Sequence, residues 1–208
     1  LSGKSVNKKK TREQFLKELA QYLGGTLEPI KDEIYEDSFR IRFKYSKEDF
    51  IYDDLEKPGF KEKINMAYLK IQTSEKLTLQ LEEKKQSTRI RKDIFIASEV
   101  STQQGQKNIK VQLPKELEDL SVLTNDSLTA SRFFEDKKIT SIFKEFKNID
   151  KFGHPILAIG IVKGVVILEF YAGDAFYPNL PALYTDVSSI DNHLNKLIAV
   201  VHKMKTLS

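Results

Sequence analysis

Three histidines, His154, His193 and His202, are the first side chains of this chain that could hold a metal or move a proton near neutral pH. His193 and His202 stand nine positions apart on one helical pattern, and about 100° per residue puts them on opposite faces. They cannot share an ion. His154 lies in a Gly153-His154-Pro155 turn with no partner nearby in sequence. All three read as ordinary surface or turn histidines. Carboxylates gather from Glu28 to Asp37 and again at Asp49, Asp53, Asp54 and Glu56. A glycosidase or a hard-cation site needs such groups converging in a cleft. These fall among turn residues and polar strand positions without calcium-loop spacing, so they read as solvated charge.

Nucleophile and nucleotide patterns are missing too. No serine sits in a Gly-x-Ser-x-Gly frame, and no glycine pattern matches a phosphate loop or a dinucleotide fold. The chain has no cysteine, which excludes a thiol nucleophile, a disulfide scaffold, an iron–sulfur cluster and a thiolate zinc site. No catalytic residue, metal ligand or cofactor is therefore assigned. A non-enzymatic interaction or scaffold domain is the favoured class. An enzyme with an unrecognised site, or a weak binder of nucleic acid or anionic lipid, is the alternative.

Three stretches have the chemistry of contact surfaces. Lys84, Lys85, Arg89, Arg91 and Lys92 surround Gln86-Ser87-Thr88 and could meet phosphates of nucleic acid or lipid headgroups, although a solvated strand connection is the favoured reading. The cluster lacks interleaved aromatics for base stacking, and Glu82, Glu83 and Asp93 dilute it, which speaks against nucleic acid. Phe176, Tyr177, Pro178 and Leu180 belong to a proline-pinned loop rich in large apolar groups, suited to capping the core or to seating a protein partner. Lys8, Lys9 and Lys10 belong to a basic start that runs from Lys4 to Arg12 without an acid. The first residue is Leu1 rather than Met, and a basic start of this kind is typical of chain emerging from a membrane-spanning helix on the cytoplasmic side. Membrane tethering upstream of Leu1 is the expectation; a solvated tail is the plainer reading, and residues 1–10 are expected to be flexible.

The rest of the chain must supply the scaffold. With 208 residues, 40% hydrophobic and 31% charged, it suits a globular α+β domain over residues 11–207. The net charge of +4 is too small to argue for a nucleic-acid partner. A capping box at Thr11 and Gln14 opens a helix whose stripe is Phe15, Leu16, Leu19, Tyr22 and Leu23, ended by Gly24-Gly25. Phe39, Ile41, Phe43 and Tyr45 alternate with Arg40, Arg42 and Lys44, the period of a half-buried strand. Leu77, Leu79 and Leu81 alternate likewise. Further strands are expected at Phe50 to Tyr52, Ala67 to Gln72, Asp93 to Ala97 and Asn108 to Leu113, with turns at Lys57-Pro58-Gly59 and Gln103 to Gln106. Ser121 to Leu123 makes another, before short helices capped by Asp126 and Asp136. The second of these carries Ile139, Ile142, Phe143 and Phe146. A hairpin turning at Lys163-Gly164 is apolar on both faces, so it should be central. A long amphipathic helix from near Ser188 closes the chain.

The expected fold is α+β: a mainly antiparallel sheet with an N-terminal helix, two short central helices and a long C-terminal helix packed on it. The expected core holds Phe15, Leu19, Phe39, Ile41, Phe43, Leu79, Ile96, Val111, Phe143, Ile159, Ile167, Leu168, Leu194 and Leu197.

Val122-Leu123-Thr124-Asn125-Asp126, followed by Ala130-Ser131-Arg132-Phe133-Phe134, resembles a pattern in an uncharacterised bacterial family. The hairpin Val162-Lys163-Gly164-Val165, the Asp174-Ala175-Phe176 turn and the closing helix add to the likeness. The family is domain of unknown function three-one-three-seven, and the resemblance covers mainly residues 67–207. It implies membrane-spanning helices ahead of a soluble domain. It carries no activity, so no catalytic residue follows from it.

Overall fold

A computed structural model describes residues 12–31, 36–58, 63–74, 77–83, 111–118, 120–145, 157–162, 164–171 and 187–207. The fold is α+β. The strands are β1 (Thr26–Ile30), β2 (Glu36–Tyr45), β3 (Glu48–Pro58), β4 (Lys63–Gln72), β5 (Leu79–Glu83), β6 (Leu120–Thr124), β7 (Leu157–Val162) and β8 (Val165–Tyr171). They form one eight-stranded sheet in the order β1-β2-β3-β4-β8-β7-β5-β6, antiparallel at every pairing. Strands β1 to β4 are a simple meander. The late hairpin β7–β8 then sits between β4 and β5, as its two apolar faces require.

Four helices among the described residues lie on one face: α1 (Arg12–Leu23), α2 (Ser127–Phe134), α3 (Lys137–Glu145) and α4 (Ile190–Lys205). Each puts its apolar stripe into the main core. Phe15, Leu16 and Leu19 of α1 meet Ile41, Phe43 and Phe50 of the sheet there, with Leu194, Leu197 and Val201 of α4. Phe133, Phe134 and Phe143 stand edge to face, with centroids 5.2–5.6 Å apart. That geometry adds about 0.5–1.5 kcal/mol per pair to the burial itself. Tyr22 leaves its expected stripe, stays exposed, and donates its hydroxyl to Asp191 Oδ2 at 2.6 Å. Of the expected core, Phe39 and Val111 are only partly buried against it, whereas Ile167 and Leu168 are both buried. Ile96 lies outside the described residues.

Local signals explain the ends. Asp126 Oδ1 accepts the amides of Leu128 and Thr129, and Asp136 Oδ1 accepts those of Lys138 and Ile139, so both expected caps are present. Gly24 takes φ +62° and Gly164 φ +80°, the left-handed region glycine enters without strain. Gly25 is required for closeness instead: a Cβ there would stand 2.7 Å from Ile41 Cγ2 and 2.8 Å from the Arg42 carbonyl oxygen. Two expectations need correcting. Val111 to Leu113 is irregular chain leading to a 3-10 turn at Lys115–Leu117, and Pro114 at that turn's N-cap shows why a strand stops short. Lys57 and Pro58 continue β3 rather than forming the turn. The expected strand Asp93 to Ala97, the cap Thr11, Phe146 and the Gln103 to Gln106 loop lie outside the described residues.

Candidate functional site

Strand alternation sends Arg40, Arg42 and Lys44 of β2 to the face opposite the helices, because Ile41 and Phe43 point into the main core. The pairing registers carry that face across the sheet. Glu28, Arg40, Asp53, Tyr68, Glu169 and Ala158 are successive register partners on β1, β2, β3, β4, β8 and β7. The next row toward the β2–β3 turn runs Arg42, Ile51, Lys70, Ile167. A second apolar cluster, Leu55, Met66, Tyr68, Val162 and Ile167, fills the same face around these polar rows, and no helical residue belongs to it.

Asp53 is the hub of the first row. Its carboxylate accepts Arg40 Nε at 2.6 Å and Nη2 at 2.9 Å, and Lys70 Nζ at 2.9 Å. Burial pushes the Asp53 carboxyl up, but Arg40 and Lys70 together hold it below the ordinary range. The hydrogen bonds to Asp53 in turn raise Arg40. Lys70 also stands 5.4 Å from the Tyr68 ring centroid, a cation–π contact. Two strands from Asp53, Glu169 has the opposite environment. It is 3% exposed, its Oε1 meets only the long approach of the Tyr68 hydroxyl at 3.5 Å, and its Oε2 has no hydrogen-bond partner among the described residues. Burial raises the Glu169 carboxyl to about 7, against a small opposing effect of the Tyr68 hydroxyl. Two carboxyls pushed apart in this way suit acid–base work in principle. Both are buried, however, and neither lines the neighbouring groove.

That groove has a volume of about 880 Å³ and lies alongside the second row. Arg42, Lys44, Asp49, Ile51, Lys70, Gln72 and Val165 line it from the face that is helix-free among the described residues, and Leu23, Gly24, Phe43 and Phe50 complete the lining from the helical side. The volume is within the range of small-ligand and peptide sites. Three cations face one carboxylate. Arg42 reaches Glu28 at 3.5 Å and Lys44 reaches Asp49 at 2.9 Å, but the first pair is about half exposed and the second largely so, and both exchange easily with other anions. Ile51 and Val165 supply apolar floor between the charges.

On the opposite face, Arg12 binds Asp54, with Nε–Oδ1 at 2.6 Å, and reaches Glu56 and the Asp37 carbonyl. The solvated basic segment expected to end at Arg12 does not include it, because Arg12 anchors α1 to the sheet. The expectation of solvated carboxylates is also corrected, since Asp53 is 1% and Asp54 0% exposed. Each is buried because cations on neighbouring elements neutralise it, which spacing along one strand does not reveal. His193 is half-buried. Burial and the nearby Lys196 lower its imidazole, and Glu145 opposes them. His202 is exposed on the other side of α4, as the spacing implied.

His154, Lys8, Lys9, Lys10, Lys84, Lys85, Arg89, Arg91, Lys92, Phe176, Tyr177, Pro178 and Leu180 lie outside the described residues. Among the described residues no group of three His, Asp or Glu side chains is placed to hold a metal, and no helix is long and apolar enough to cross a membrane. The Asp53 hub and the groove were not foreseen. Their only sequence signal was the Arg40, Arg42, Lys44 alternation, which names a wet face without showing what the face holds. In comparisons with known proteins, no family model, curated protein or solved structure matches this chain.

Proposed function

We propose that this chain is a non-enzymatic interaction domain that seats an acidic, partly apolar segment of a partner protein in the groove on its helix-free face. The observation that supports the reading is the lining itself: Arg42, Lys44 and Lys70 against the single carboxylate of Asp49, with Ile51 and Val165 between them. An extended segment places alternate side chains on one side, so carboxylates can replace Glu28 and Asp49 on Arg42 and Lys44 while the apolar residues between them cover Ile51 and Val165. Lys70 contributes charge from a fixed position, because Asp53 holds its ammonium. Paired strands hold the lining residues in register, which keeps the ordering cost of the site low. Attachment to a membrane, through a segment upstream of Leu1 and the basic start at Lys8, Lys9 and Lys10, belongs to the same proposal, as does a cytoplasmic setting.

The test uses a fluorescent peptide of alternating glutamate and leucine, with its lysine counterpart as control. Binding to the folded domain should favour the acidic peptide and weaken at least tenfold in the Arg42→Glu, Lys44→Glu double variant. Both positions are exposed surface, so the fold should survive the change. Equal affinity for both peptides, or no loss on charge reversal, would overturn the reading.

A further inference from the structure

One buried group on the helix-free face takes no part in the docking reading. Glu169 is at the middle of the sheet, on β8, with β4 and β7 as its paired neighbours. Every charged group facing that row among the described residues is already committed elsewhere. Arg40 and Lys70 are held by Asp53, one strand beyond Tyr68, and Tyr68 offers only its hydroxyl. Within the row itself, β7 brings Ala158 opposite. A carboxyl in this position is less costly as a neutral acid, which can turn its proton toward the Tyr68 hydroxyl, than as an anion. Among the described residues it has, as an anion, no cation beside it and no donor to its Oε2.

We propose that Glu169 is a protonation switch for the centre of the sheet: neutral, it keeps the β4–β8–β7 strands closed on the helix-free face, and loss of its proton opens them to water. The step is a simple ionisation, with the proton released to solvent and water entering to hydrate the anion. The carboxyl titrates near 4.5 when unfolded and near 7 when buried. Below the lower value both states are protonated and the group is without effect. Between the two, the folded state alone keeps the proton, so rising pH progressively weakens it, and the full penalty is present above about 7. Asp53, on the same row but paired with two cations, stays charged throughout and does not confuse the readout.

Hydrogen exchange of the whole chain tests this, comparing wild type with Glu169→Gln at each pH so that intrinsic exchange rates cancel. At pH 4.5, where the closed form is protonated and the open form half so, the two should protect the amides of β4, β7 and β8 to within about twofold. At pH 8 the wild type should exchange there at least tenfold faster than Glu169→Gln, while α1 and β1 differ little. Equal protection of the two proteins at both pH values would overturn the switch. If Glu169→Gln does not fold, the carboxyl carbon of Glu169 is followed by NMR in the wild type. A titration midpoint above 6 supports the proposal, and one below 5 overturns it.

Discussion

Asp53 and Asp54 are adjacent in the chain and both buried, yet strand geometry sends them to opposite faces, Asp53 to Arg40 and Lys70 and Asp54 to Arg12. Asp53 depends on Arg40 and Lys70 as much as they depend on it. Replacing it by Asn leaves two partly buried cations unneutralised, and breaking such a pair costs about 3–5 kcal/mol when both sides are fully buried. Arg40 and Lys70 keep 31% and 18% exposure, which lets water recover part of that. We expect Asp53→Asn to lower unfolding free energy by about 2–3 kcal/mol in urea titrations at pH 7. The sign with pH follows from the lowered carboxyl. Its stabilisation is complete above the ordinary value of 3.8 and is lost as pH falls through the lower folded value, so wild type and variant should converge only below about pH 4. None of this was legible along the chain. An Asp-Asp pair in an alternating segment looks wet until register supplies Arg40 from β2 and Lys70 from β4.

At the scale of elements, local chemistry was the better guide. Asp126 and Asp136 before apolar periodic runs, Gly24 after the first helix and Gly164 between two β-branched strands all sit where their backbone roles place them. The β2–β3 turn carries no glycine or asparagine signal, because its residues are unusual for a tight hairpin. Ser46 and Lys47 both have positive φ, +49° and +71°, in a two-residue hairpin that ordinarily takes Asn-Gly. Left-handed backbone costs a residue with a Cβ about 1 kcal/mol or more. Ser46→Asn with Lys47→Gly should therefore stabilise the domain by about 1 kcal/mol. A rise in the urea midpoint with an unchanged slope is the expected result, and a fall would show that the Ser46 or Lys47 side chain does more than turn the chain. The strand expected from Asn108 to Leu113 failed over its described part for an opposite reason: its alternation is real, but the segment runs straight into Pro114 and a 3-10 turn.

For the molecule as a whole, the informative event is the late hairpin entering between β4 and β5. Central position follows from apolar faces, and that much was readable. Which strands flank the hairpin was not, because the Tyr68–Glu169 register joins residues 101 positions apart. Such long-range pairing slows folding and makes the sheet's second half depend on its first. It also builds the candidate site. Arg42, Ile51, Lys70 and Val165 come from four strands and share one groove only because β8 has come to lie beside β4. The described helices all pack on one face, and the proposed function rests on the exposed charged positions at the rim of the other, Arg42 and Lys44. Its direct measurement is an amide chemical-shift map of the isotope-labelled domain titrated with the glutamate–leucine peptide. Saturable shifts centred on Arg42, Ile51, Lys70, Gln72 and Val165 are expected, with α2 and α3 silent. Shifts confined to the helical face, or scattered without saturation, would contradict docking on the helix-free face.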